Sequence, residues 1–551
     1  MGPEGVLEVL RFALRRMALS VADRVVTNPL FAWTWSGAPA RAFTGRLTDF
    51  RSADAQTIVE MMEGKYLLGA RFIDTHGVSP FAIETDAADW LADLHSFGWL
   101  RHFRDLRDPG QRRFARTLVM DWIGRYGGFD RETWSLFVTA RRVLNWLKNY
   151  ALLTEGANPD QIRTINRALA VQLQSLVVRA PLEPDPLPRL MAQIAMAGAA
   201  LSASEDDPDT ERFLARLEAE LNAQLDADGL HRSRNPFAQI QILTELIPVS
   251  QLLSQRRQDL SAAVGARVEI MQRALDRLVL GTREPAYMNG CGQAPVELVL
   301  SIAAQSGARG NGTGSCGGYG ILVDGSGKLV ADSGLVPPAQ FAQSAHAGGL
   351  SFEFSSHGAL IVGNCGPAPA QLPESRNLFR HTSAHSAPTI DDLSNASLSG
   401  GSLRGSILRP RGTTQMTVSP EDCAIEMRSS AYRNRYGLDI VRSLTLLGGG
   451  HTLVGQDRLL AASRRHHRQG DAIIRFHLAP DVAIDRADGE DLIRLVFKSG
   501  PTWAFLWEGA RADIEESVRH SAHFGLVKTR QIVLSGPARP DTEIAWVFTR
   551  Q

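Results

Sequence analysis

The chain has 551 residues, 59 of them basic and 59 acidic, with 44% hydrophobic and 21% charged residues. This length predicts roughly two to four domains with large cores, and the zero balance argues against a dedicated nucleic-acid binder or a protein held on anionic membranes. The four cysteines include no C-x-x-C pair, which excludes a disulfide scaffold.

Residues 1–26 show helical apolar spacing broken by Arg11, Arg15, Arg16 and Arg24, without the unbroken apolar core of a secretory signal. No stretch reaches the ~18 apolar residues of a membrane span. The chain therefore reads as cytoplasmic, with the periplasm or cell envelope as the alternative. Arginine outnumbers lysine 54 to 5. Either a codon bias or a need for planar, two-pronged carboxylate contacts accounts for this.

The first half reads as helices. Trp90, Leu94 and Phe97 recur at helical spacing, as do Ile165, Leu169, Leu173 and Leu176, then Leu214, Leu217, Leu221 and Leu225, then Val264, Val268, Met271 and Leu275. Breakers such as Asn158-Pro159 and residues 226–236 fall between them. Long helices with short loops and no strands predict a helical array or toroid. Glycine rises from 19 residues in the first 299 to 30 in the last 252, and the pattern there turns to strands. Residues 321–323 and 328–331 flank an Asp324-Gly-Ser-Gly turn, and 444–447 and 451–454 flank three glycines. Many short strands without interleaved helices predict an antiparallel sandwich. The expected boundary is the glycine-rich stretch 307–320.

Within that stretch, Gly312-Thr-Gly-Ser-Cys-Gly317 formally matches G-x-G-x-x-G. A strand pattern follows it where a dinucleotide site needs a helix, so a linker is expected. Asp228-Gly-Leu-His231-Arg232-Ser-Arg234-Asn235-Pro236 is the most polar break in the helical half. Asn235 before Pro236 fits a helix N-cap. Equally, His231, Arg232, Arg234 and Asn235 could present donors to a carboxylate. Tyr287-Met-Asn289 closes the last clear helix, and its tyrosine is either a general acid or base or a packed aromatic. His346 precedes an alternating strand and His385 follows it. They are either strand-end hydrogen bonders or two ligands of a metal lacking a third, with Asn364 a poor candidate for that place. His466-His467 and His520-x-x-His523 read as solvated loop or strand-edge histidines.

Residues 345–354 (Ala-His-Ala-Gly-Gly-Leu-Ser-Phe-Glu-Phe), 361–366 (Ile-Val-Gly-Asn-Cys-Gly) and 380–386 (Arg-His-Thr-Ser-Ala-His-Ser) resemble the heparinase II/III family. So do Arg435-Tyr-Gly437, Gly455-Gln-Asp457, residues 475–482, residues 531–534, residues 90–100 and the Asp228-to-Pro236 turn. The resemblance runs from about residue 70 to the end. It implies a multidomain α+β chain: an N-terminal extension over 1–70, an α/α toroid (an incomplete barrel of helical hairpins) over 71–300, and an antiparallel β-sandwich over 301–551.

The resemblance also implies polysaccharide lyase chemistry on an acidic, uronic-acid-containing glycan or oligosaccharide, in the cleft between toroid and sandwich. In such a β-elimination the C5 proton leaves once the carboxylate charge is neutralised, and a tyrosine or histidine moves the protons. Carried onto this chain, Asn235 and Arg234 neutralise the carboxylate, with Arg232, Asn289 and Arg380 as further substrate contacts. Tyr287 or Tyr319 handles protons, with His231 part of a rearranged catalytic set. His346 acts as base or joins His385 and Asn364 around one divalent metal, zinc or calcium, in the sandwich.

The chain departs from the family where usual catalytic residues stand: Asp185-Pro186 replaces an Asn-His pair, Ala238-Gln239 a Tyr-His pair, and Ser344 and Gly348 flank His346 in place of His and Asp. A lyase is therefore weighed against a degenerate glycan-binding or envelope-related protein on the same scaffold. A glycoside hydrolase is a weaker third reading, since no carboxylate pair stands out. A homodimer is an assembly open to the chain. Near-neutral halves point to a sparsely charged or short uronide.

Overall fold

The computed structural model describes residues 3–551 apart from 32, 39–40, 105–107, 204–208, 306, 308–309, 311, 400–407, 463–467, 487–490 and 499. The His466-His467 pair lies outside the described residues. The chain divides into two compact units. One comprises Met1–Leu225, Gln241–Glu269 and Leu300–Ser306, and the other Asp226–Ile240, Ile270–Val299 and Gly307–Gln551.

The first unit is helical, as the spacing predicts. Its helices include Pro109–Tyr126, Leu136–Lys148, Pro159–Arg179, Pro186–Ser202 and Asp209–Gln224. The start of Pro159–Arg179 shows why local sequence sets these bounds. Asn158 accepts from the Gln161 amide, the Gln161 side chain returns the bond, and Pro159 fills the first helical position, where no amide hydrogen is needed. The interior of this unit is aromatic. Trp90, Trp99, Trp122, Trp134 and Trp146 are each at most 2% exposed. Asp185, at one departure from the family pattern, pairs with Arg16 at 2.9 Å and heads the Pro186–Ser202 helix.

The second unit is an antiparallel sandwich. Among the described residues one sheet has eight strands and the other nine. The nine-stranded sheet carries the candidate site. Its central strands are Tyr319–Asp324, Gly327–Asp332, Phe352–Ser356 and Ala359–Gly363, each antiparallel to the next. Asp471–Leu478 pairs with the last of these and with Gly525–Pro537, whose other neighbour is Arg511–Ser521 at the sheet edge.

Alternation decides what faces where. Phe352 and Phe354 enter the core with Phe476, Trp546 and Phe548, so Glu353 between them points to the opposite face. Phe352 and Trp546 stack at 5.6 Å with their planes 5° apart. Gly455 admits that indole, since a Cβ there would sit 2.0 Å from it. Both hairpins expected from sequence are present, 319–332 and 438–461.

Two expectations need correction. Residues 314–316 form a short strand paired with 319–321, so the glycine motif is part of a hairpin and not a linker. The boundary near 300 also fails as a clean cut. Residues 226–240 and 270–299, read as toroid, pack with the sandwich. Gly317 shows how tightly: its φ is +56°, and a Cβ there would lie 2.4 Å from Leu230 Cδ2.

Candidate functional site

The residues singled out from sequence, from His231 to His385, all lie in the sandwich unit. The structure joins five of them in one hydrogen-bonded chain. Tyr319 Oη donates to the Arg234 carbonyl at 2.5 Å and accepts from Asn289 Nδ2 at 2.6 Å. Asn289 Oδ1 accepts the His346 amide at 3.1 Å. His346 Nδ1 meets His385 Nε2 at 3.1 Å, and His385 Nδ1 reaches the His381 carbonyl at 2.8 Å. Asn289 takes its position through a left-handed backbone (φ 50°), beside Gly290 (φ 85°). A Cβ on Gly290 would lie 2.7 Å from the Ser344 carbonyl oxygen.

A second network lies beside it. The Glu353 carboxylate accepts from the Tyr287 amide at 2.8 Å, the Asn364 amide at 2.6 Å and Arg519 at 3.1 Å. The Arg519 guanidinium lies 3.7 Å from the centre of the Tyr287 ring and also donates to the Asn364 carbonyl at 2.8 Å. Glu353 and Arg519 were missed from sequence. The only signal was an acid between two core phenylalanines, Phe352-Glu353-Phe354.

These bonds overturn several expected roles. Tyr319 and Tyr287 are 0% and 2% exposed. The Tyr319 hydroxyl is fully engaged, and Tyr287 points its own at the His520 carbonyl at 3.4 Å. Burial holds both phenols far above their ordinary range, with Arg234 and Arg519 opposing only in part. Neither hydroxyl stands open to a substrate proton.

Arg234 does not present a free fork. It donates to the carbonyls of Gly317, Gly318 and Leu335, pairs with Asp332 at 2.8 Å and covers the Tyr319 ring. Burial opposes its charge, but Asp332 outweighs that and holds it above its ordinary range. Arg380 is 1% exposed and donates to the carbonyls of Ala345 and Ala342. Arg232 is exposed on the turn. Asn235 Oδ1 accepts the Phe237 amide at 2.9 Å, which makes it the N-cap read from sequence. Gln239 is structural as well: it accepts from the His231 amide and donates to the Gly229 and Met271 carbonyls.

The histidines are neutral by construction. Burial lowers His231 to about 4 and His385 to about 4. His231 Nδ1 accepts the Ser233 amide at 3.3 Å and faces its hydroxyl at 2.7 Å. His346 falls well below its ordinary value through burial first, then His385 and Arg380. The bonds fix its tautomer. His385 donates to a carbonyl through Nδ1, so its Nε2 accepts from His346 Nδ1–H and His346 Nε2 carries the lone pair. A general base works best with a pKa near the operating pH. Protonating this ring would place a buried cation beside arginine, which makes His346 a poor base.

The expected metal does not fit these donors. A zinc site needs at least three ligands. The facing nitrogens of His346 and His385 share a hydrogen bond. Asn364 Oδ1 accepts the Ser386 amide at 2.9 Å, and its Nδ2 donates to the Tyr287 carbonyl at 3.3 Å. Among the described residues no three His, Cys, Asp or Glu side chains converge on one point. A calcium ion would want several carboxylate or carbonyl oxygens; the one carboxylate acting on His385 among the described residues is Asp332, and it is already paired with Arg234.

Residues 309–547 match the family model described as Heparinase II/III-like, C-terminal. FtsZ-localized protein C of Caulobacter vibrioides is 27% identical over 497 residues, covering 86% of this chain and 84% of that protein. Among solved structures, a heparinase III gives a TM-score of 0.64 at 10% identity, covering 87% of this chain and 80% of the other. Heparan sulfate lyase HepC from Pedobacter heparinus gives 0.55 at 14% identity, covering 95% and 87%. These likenesses show the toroid-plus-sandwich fold. Among the described residues no helix is long and apolar enough to cross a membrane. At residues 309–547 the chain carries a heparinase II/III-like C-terminal domain.

Proposed function

We propose that this chain uses a polysaccharide-lyase scaffold without lyase turnover, and that it works by binding at the site where FtsZ assembles. The observation that carries this is the internal bonding of the would-be catalytic set. Both tyrosines, Arg234, Arg380 and Asn364 spend their polar groups on the protein itself. β-Elimination needs a cation or donor free to neutralise the uronate carboxylate, plus groups that take and give protons. Here His346 Nε2 is the basic atom left open, and burial weakens it as a base.

The name of the Caulobacter protein supports the place of action, because that relative spans most of both chains without a lyase name. The cytoplasm, read from the sequence, is the compartment consistent with it.

Two measurements test the reading. Purified protein is incubated with a broad panel of uronic-acid glycans, and ultraviolet absorbance follows the unsaturated product. No absorbance gain is expected, and sustained turnover of any member sinks the non-catalytic reading. A fluorescent fusion is expected to follow FtsZ to the division site. Uniform fluorescence in dividing cells removes the proposed place of action.

A further inference from the structure

We propose that the sandwich unit binds a tetrahedral dianion of the phosphate monoester class between His357, His451 and Arg550. Three turns and the strand Glu543–Arg550 build this site, and none of its residues belongs to the two networks described above. It lies at the other end of the same strands. Tyr319 opens the strand that Asp324 closes, and five residue steps put about 17 Å between the two places.

Close packing of turns brings the side chains together. Residues 324–327 join two strands of one sheet, and 447–452 join two strands of the other. The two turns touch through backbone: a Cβ on Gly450, whose φ is +87°, would lie 2.2 Å from the Gly327 amide nitrogen. The third turn holds His357 (φ 50°) and Gly358 (φ 77°) between the paired residues Ser356 and Ala359. A two-residue hairpin turn of this kind needs a left-handed backbone at both positions.

The two imidazoles therefore meet from different sheets, with ring centres 4.9 Å apart and planes 23° apart. Their Nε2 atoms face each other at 3.2 Å. Arg550 Nη1 lies 2.6 Å from His357 Nε2 and 3.2 Å from His451 Nε2. A guanidinium only donates, so both rings turn a lone pair toward it. The Ser356 hydroxyl donates to the Gly450 carbonyl at 2.8 Å and accepts His357 Nδ1–H at 2.9 Å, which fixes the same tautomer.

Charge is the pointer to a ligand. Among the described residues no carboxylate forms an ion pair with His357, His451 or Arg550, and Arg550 spends Nη1 alone. Asp324, the acid on the facing turn, holds the Gly449 amide at 2.8 Å instead. Both histidines are exposed, so solvent protons reach them. Partial burial, then Arg550 and His451, hold His357 below its ordinary value. An anion between the three groups reverses that opposition. A carboxylate has two oxygens and one charge, which the guanidinium alone absorbs. A phosphate monoester has three terminal oxygens and two charges, enough for the guanidinium and both rings. A metal is the rival occupant of two facing Nε2 atoms. Against it, Arg550 fills the gap, and among the described residues no third His, Cys, Asp or Glu ligand joins the pair.

The site stands whether or not the chain is a lyase. NMR of the histidine-labelled full chain at constant ionic strength reads it directly, with His357→Gln and His451→Gln assigning the two signals. Inorganic sulfate, a dianion throughout the range, is expected to raise the His357 ring pKa by about half a unit or more relative to chloride. In isothermal titration sulfate is expected to bind about fivefold more tightly near pH 6 than near pH 8. Arg550→Gln, with its melting temperature confirming the fold, is expected to bind sulfate about tenfold more weakly. Methyl phosphate is expected to outbind the monoanion methyl sulfate. An unmoved His357 pKa overturns the site, and so does equal sulfate binding by wild type and Arg550→Gln. Methyl sulfate binding as tightly as methyl phosphate overturns the dianion, and zinc that displaces sulfate from the wild type assigns the pair to a metal instead.

Discussion

Tyr319→Phe separates a structural tyrosine from a catalytic one. The phenol is fully buried, and its oxygen makes two short bonds, 2.5 Å to the Arg234 carbonyl and 2.6 Å from Asn289 Nδ2. Phenylalanine keeps the ring under the Arg234 guanidinium, 4.2 Å from the ring centre. It removes only the oxygen. A buried donor and a buried acceptor are then left without their partner, at about 1–3 kcal/mol each. Relief of burying the hydroxyl itself offsets part of this, so the net loss is about 2–4 kcal/mol. Urea denaturation reads it as a lower midpoint at unchanged slope, and calorimetry as a fall in the melting temperature of the sandwich unit. A tyrosine acting as proton donor predicts the reverse: stability within about 0.5 kcal/mol of wild type and a lyase rate lower by roughly a hundredfold or more. Unchanged stability in Tyr319→Phe would refute the structural assignment, and loss of a measurable wild-type lyase rate would refute the functional one.

Other outcomes follow from the same networks. Arg519→Met strips the cation from Glu353, which is 0% exposed, and is expected to cost about 3–5 kcal/mol, with Glu353→Gln recovering part of the loss in the double variant; full additivity of the two changes would show that the pair is uncoupled. Stability should fall with acid. His231, His385 and His477 have folded values near 4, 4 and 3 against an ordinary 6.5, so the unfolded chain takes up protons first; stability is complete above pH 6.5 and declines between 6.5 and about 3. His385→Gln is expected to reduce that slope by about one proton in the urea midpoint plotted against pH, and an unaltered slope would remove His385 from the account. Dialysis against a chelator should leave the melting temperature unchanged, and added zinc should not raise it, because the His346–His385 pair lacks a third ligand; a zinc-dependent rise would overturn this misfit.

The fold was largely legible in sequence because its signals are local. The capping box at Asn158, the helical spacing in the first half and the glycine turns of the two hairpins each act within a few residues. The family motifs marked Arg234, His346 and His385, Tyr319 was added to them as part of a rearranged set, and the hydrogen bonds unite the four through Asn289. What stayed hidden depends on partners distant in sequence. That Arg234 would be consumed by Asp332, 98 residues away, has no local sign. That Asn289 would join Tyr319 to His346 follows only from residues 270–299 packing with the sandwich. That Gln531 Oε1 is buried with no hydrogen-bond partner among the described residues was invisible as well, because alternation along a strand indicates a face and not whether a side chain is satisfied.

The division of the chain into units bears on how it is made and how it can be cut. Synthesis runs from the N-terminus, so residues 226–240 and 270–299 emerge before the strands that bond them. Arg234 must wait for Asp332, the Tyr287 amide for Glu353, and the Asn289 side chain for Tyr319. Until then these segments expose polar groups suited to a sheet that does not yet exist, and they hold part of the protein incomplete until late in translation. A fragment cut to the family match at 309–547 would meet the opposite fate. It would form strands whose buried Asp332 and Glu353 have lost partners left behind on the discarded half. A piece meant to fold alone has to begin no later than Asp226.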